Sequence, residues 1–102
     1  MLSIFFQVEI ESIRHKALCR FFATGNREGL DARIAERLGR MLFFLVNAGS
    51  VEELSVPPDY GLHPLTGDLA GRWAMTVTKN WRLTFKRTGA ASLADLDLED
   101  YH

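Results

Sequence analysis

The chain has 102 residues, enough for one compact domain with a single buried core and too few for two. Hydrophobic residues make up 47% and charged residues 25%, which excludes disordered and collagen-like chains. The formal net charge is −1 and the sequence pI about 6.3, so the overall field does not mark a nucleic-acid binder.

In chain order, the apolar opening MLSIFFQVEI lacks the basic start and cleavage site of a signal peptide and is too short to cross a bilayer. It reads as a first strand behind a loose leader, residues 1–9. Loose alternation over 7–14 gives way at His15 to a short helix, where Leu18, Phe21 and Phe22 recur at helical spacing and Gly25 closes the end. Cys19, set among these apolar residues, is expected to be a small core residue. As the lone cysteine it has no internal partner, which points to a reducing, cytoplasmic setting.

Asp31 is the expected N-cap of a second helix, whose residues Ile34, Leu38, Met41, Leu42 and Leu45 form an apolar stripe. Arg33, Glu36, Arg37 and Arg40 occupy its other face. Ser50 and Glu53 have capping-box spacing for one more helical turn, stopped by Pro57 and Pro58.

Beyond the prolines the period changes to two. GLHPL starts a strand and TGDLAG turns into RWAMTVT, with Trp73, Met75 and Val77 on one face. After a turn at KN, WRLTFKR puts Leu83 and Phe85 inward and Arg82, Thr84 and Lys86 outward. TGAA then leads into SLADLDLED, with Leu96 and Leu98 inward and Asp95, Asp97 and Glu99 outward. Arg72 to Arg87 holds five basic residues and no acid, and the row of Arg82, Thr84 and Lys86 should lie beside the acidic row of Asp95, Asp97 and Glu99; continued alternation would add Tyr101 to that polar face. Strand, helix, helix and strand meander predict an α+β fold, an antiparallel sheet with two to three helices on one face.

The three histidines are scattered and the lone cysteine has no neighbour, so no metal site or cofactor is expected; GDLAGR lacks the lysine of a phosphate loop. What remains suits acid–base work on a phosphodiester. His63 and His102 are of the residue type that changes charge near neutrality, Asp100 and Tyr101 can hold or pass protons, and Arg72, Lys79 and Arg82 can hold an anion. Each also has an ordinary reading: a histidine before a proline at a strand start, or an arginine on a solvated helix face. Trp73 and Trp81 could stack on bases, yet Trp73 at an inward strand position fits the core. His15 with Lys16 marks a helix start or a surface contact and receives no catalytic role.

The segments LHPLTGDLAGRWAMTVTKNWRLTF, the terminal DLEDYH and the early IESIRHKALCRFF together resemble the HigB-type toxins of the RelE/ParE superfamily, from Ile10 to His102. The combination of LHPL, GD, NWR and a terminal DYH carries the resemblance. It implies a compact domain with a curved antiparallel sheet and helices on one side. The implied activity is that of a ribosome-dependent, metal-independent mRNA endonuclease, held inactive by a HigA-like helix-turn-helix antitoxin. Its partners would be mRNA and the ribosome at the 16S rRNA A site, with operator DNA reached only through the antitoxin, and no membrane.

By motif, His63, Asp100, Tyr101 and His102 fall on cleavage positions and Arg82 on a phosphate-contacting one. This sequence departs from the family pattern at Thr66, where lysine is usual and for which Arg72 could stand in; in its longer leader; and in its slightly acidic charge. The alternative reading is a non-catalytic binding module of the same fold, like the gyrase-inhibiting ParE branch, or a weakened toxin.

Overall fold

The computed structural model describes residues 7–100. Most of the expected leader (residues 1–6) and the terminal Tyr101 and His102 lie outside the described residues.

Helix α1 (Lys16–Thr24) begins where the His15 ring nitrogen Nδ1 accepts the Leu18 amide at 3.1 Å. It ends at Gly25, whose φ of 78° permits the left-handed cap that returns its amide to the Phe21 carbonyl. Helix α2 (Ala32–Asn47) starts at Asp31, whose Oδ1 accepts the Arg33 amide at 2.9 Å. Hydrogen bonds from the Arg33 side chain and amide hold the Asp31 carboxyl well below its usual range, at about 2, so the cap stays charged. The α2 stripe of Ile34, Leu38, Met41, Leu42 and Leu45 is buried. In the turn that follows, the Glu53 carboxylate accepts the amides of Gly49 and Ser50, the reach-back half of a capping box.

Five strands follow the order β1-β5-β4-β3-β2, with β1 (Glu9–Ile10), β2 (His63–Pro64), β3 (Arg72–Thr76), β4 (Trp81–Gly89) and β5 (Ser92–Asp100). From β2 to β5 the sheet is antiparallel, but β1 pairs parallel with β5. The sheet is thus mixed rather than purely antiparallel. No hairpin joins β1 to its neighbour: the chain returns only after both helices, and a crossover of that length allows a parallel partner.

A second difference lies in β5. Thr84 opposes Asp97 while Lys86 opposes Ala94, so Asp95 and Leu96 together face Phe85 in a bulge. Asp95 takes a φ of 54°, and Ser12 holds it by accepting its amide at 2.8 Å and donating to its Oδ1 at 3.3 Å. The bulge resets the alternation, which is how Leu93, Leu96 and Leu98 all become buried. Asp95 consequently leaves the acidic row.

The core combines Leu18, the α2 stripe, the sheet residues Met75, Leu83, Phe85, Leu93, Leu96 and Leu98, and Val77 just after β3. Trp73 and Trp81 are half-buried against it. Cys19, expected inside, is exposed and free: it follows Leu18 by one residue, a rotation of about 100° that carries it off the buried stripe. Phe85 is fully buried, so Phe85→Ala should lower the free energy of unfolding by about 3–5 kcal/mol. Urea denaturation followed by circular dichroism would measure the loss, and a change below about 1 kcal/mol would remove Phe85 from the centre of the core.

Candidate active site on the outer face of the sheet

Directly opposed residues of an antiparallel ladder project from the same face. The register therefore builds rows on the side of the sheet away from Leu83 and Phe85. One row runs His63, Ala74, Thr84, Asp97; the next runs Thr76, Arg82, Glu99; Arg72 opposes Lys86 in a third. Three of the expected residues, His63, Arg72 and Arg82, thus share one face.

His63 precedes Pro64, which forces its backbone to be extended and so able to pair with β3. The side chain is exposed, and its Nδ1 lies 2.8 Å from the Gly61 carbonyl. A carbonyl only accepts, so Nδ1 carries the proton there, and in the neutral ring the lone pair resides on Nε2. Thr84, two strands over, is about 10 Å away along the row.

Thr84 was expected on an open polar surface but is fully buried. Arg72 covers it from β3, donating through Nη2 at 3.0 Å, and the same nitrogen reaches the Asp95 carbonyl at 2.9 Å. The Thr84 hydroxyl donates to Glu99 Oε2 at 2.6 Å, while Arg82 Nη2 donates to Glu99 Oε1 at 3.2 Å. Burial pushes the Glu99 carboxyl up, but the Thr84 and Arg82 hydrogen bonds and the charges of Arg82 and Arg72 outweigh it and leave the group below its usual range. Glu99 is therefore ionised at neutral pH. Neither Glu99 nor Thr84 stood out in the sequence; the available signal was the opposed charge of two strands joined by a turn.

The other expected residues sit apart. Lys79 is exposed at the tip of the β3–β4 hairpin, near Asp31, Arg33 and Trp81. Asp100 opposes Trp81, one step out of phase with Glu99, and Tyr101 and His102 follow beyond the described residues. Thr66 is exposed and precedes the turn over Gly67–Leu69. Among the described residues, no three His, Cys, Asp or Glu side chains group so as to hold a metal ion.

A concavity of about 790 Å³ lies elsewhere, lined on the helix side by Phe21, Phe43, Phe44, Val56 and Tyr60. Phe43 and Val56 are 70% and 69% exposed there. Of the expected residues, His63, Arg72 and Arg82 lie on the sheet face and not in this concavity.

Two helices packed against a five-stranded mixed sheet match the RelE-like toxin fold. The chain superposes on YafQ from E. coli strain BL21(DE3) with a TM-score of 0.60 at 21% identity, covering 92% of this chain and 93% of that one. For a chain of the E. coli DinJ–YafQ toxin–antitoxin complex the TM-score is 0.53 at 22% identity, over 88% of this chain and 90% of that one. Residues 11–102 match the model of the HigB-like toxins, RelE-like toxins of type II toxin–antitoxin systems, and the chain belongs to that family. It is 38% identical over 93 residues to endoribonuclease HigB of Proteus vulgaris, which spans 91% of this chain and 99% of the relative.

Proposed function

We propose that this toxin is an mRNA endonuclease that works on the ribosome without a metal ion and is restrained by a HigA-like helix-turn-helix antitoxin. The observation that carries the reading is the outer face itself: an exposed histidine, oriented by the Gly61 carbonyl, sharing a sheet surface with two arginines held by hydrogen bonds. The relative named an endoribonuclease supports it.

In such a reaction the RNA 2′-oxygen attacks phosphorus, its proton passes to a base, and the bond to the 5′-oxygen breaks as an acid protonates that oxygen. A 2′,3′-cyclic phosphate and a 5′-hydroxyl result. His63 would carry one of the two proton transfers through Nε2, and His102 the other. Arg72 and Arg82 would stabilise the charge that builds on the phosphorane, with Asp100, Tyr101 and Lys79 at the border of the same RNA path. Among the described residues no helix is long and apolar enough to cross a membrane, and action on ribosomes would place the protein in the cytoplasm.

A defined mRNA should be cut in the presence of translating ribosomes and left intact as naked RNA, with cutting suppressed by an equimolar cognate antitoxin. Primer extension would map the cuts. Binding of the antitoxin without any cleavage by the free chain would sink the endonuclease reading in favour of a non-catalytic binder.

A further inference from the structure

We propose that Glu99 is a positioning residue of the cleavage site, holding Arg72 and Arg82 so that both guanidinium groups address one phosphodiester. The inference rests on the endonuclease reading and adds to it a residue outside the acid–base set.

Three neighbouring strands contribute to the arrangement: Arg72 from β3, Arg82 and Thr84 from β4, and Glu99 from β5. Two guanidinium groups on one face repel each other, and each long side chain has many rotamers to lose on being fixed. Glu99 divides its oxygens between them. Oε1 takes Arg82 directly, and Oε2 takes the single proton of the Thr84 hydroxyl. With that proton committed, the Thr84 lone pairs are left for Arg72, which donates to them at 3.0 Å. One carboxylate therefore fixes one arginine by contact and the other through a fully buried relay.

A carboxylate that served only to dilute positive charge would need no such relay. The Arg82 and Glu99 side chains are 19% and 30% exposed, so the pair is partly shielded from water and its geometry is held more firmly than in an open surface pair. Among the described residues, both Arg72 hydrogen bonds leave from Nη2. In this proposal its remaining guanidinium donors take a phosphate oxygen.

Steady-state cleavage of mRNA on ribosomes tests the proposal with the wild-type chain, Glu99→Gln, Thr84→Val and Thr84→Ser. Glu99→Gln should lower kcat about 10- to 100-fold, as misplaced charge-stabilising groups do. Its KM should stay level or fall, because losing a negative charge favours RNA association. Thr84→Val, which leaves net charge unchanged, should lower kcat similarly, and Thr84→Ser should keep the wild-type rate. An unchanged kcat with a lower KM in Glu99→Gln would mean that Glu99 merely repels RNA, overturning the proposal; so would wild-type kcat in Thr84→Val. Where Glu99→Gln fails to fold by circular dichroism, the Thr84→Val and Thr84→Ser pair decides by the same rates. A silent wild-type chain overturns the endonuclease reading and this inference together, whereas an active wild type beside equally active variants overturns the role of Glu99 alone.

Discussion

A chain ending at Asp100 should fail to cut mRNA on translating ribosomes and still unfold within about 4 °C of the full chain. The expectation of intact folding follows from β5, whose pairing with β4 runs through Leu83 and Leu98, and Arg82 and Glu99, to close with Trp81 and Asp100. The core residues of that strand, Leu93, Leu96 and Leu98, all precede the cut. Removing the last two residues leaves the ladder and the bulge in place. It removes the Tyr101 hydroxyl and the His102 imidazole.

The point variant His102→Ala isolates the imidazole and should lose about 10²- to 10⁴-fold in kcat, the range for withdrawal of a general acid or base. Fragment yield on denaturing gels, alongside thermal unfolding by circular dichroism, separates the two effects. Full cleavage by the shortened chain would take the chain end out of the mechanism and leave His63 with the arginines.

The parts of the fold legible in the sequence are those decided by near neighbours. Asp31 caps α2 by accepting an amide two residues on, a bond that can be anticipated from residue type and spacing alone, whereas the His15 ring nitrogen that caps α1 is outside the usual N-cap types. The α2 stripe was equally visible because a period of 3.6 is set within the element. The bulge in β5 was not: it depends on Ser12 meeting Asp95 across 83 residues, and period two read through it without a break. The same distance effect hid the direction of β1, whose partner is the last strand. Cys19 was misplaced by its company, since being next to Leu18 in a helix points it elsewhere.

The candidate site divides in the same way. Its cations were legible as a basic run without acids, and His63 by its residue type and its place in the LHPL motif. The register that puts Glu99 opposite Arg82, and the burial of Thr84 between Arg72 and Glu99, arise only when three strands align. A bulge shifts every residue before it by one position, so the pairing of individual charges could not be taken from alternation.

His63→Ala should match the terminal variant in size, losing about 10²- to 10⁴-fold in kcat with KM little changed. The side chain is exposed and its one hydrogen bond among the described residues is to the Gly61 carbonyl, so stability should hold within about 0.5 kcal/mol. That bond gives the ring its function in this reading, because fixing the proton on Nδ1 leaves Nε2 to face the substrate. His63→Gln offers a sharper comparison, since its amide can occupy similar space and hydrogen-bond but cannot transfer a proton at neutral pH. A glutamine variant as slow as the alanine variant would assign the loss to proton transfer; one that cuts at the wild-type rate would reduce His63 to an RNA contact. Combining His63→Ala with His102→Ala adds a further criterion. If both serve one concerted displacement, the double variant should be about as slow as either single one, because removing half of a cooperating pair already forfeits most of what the pair does. Losses that multiply instead would show two groups acting in separate steps, and would break the pairing of His63 with the chain end.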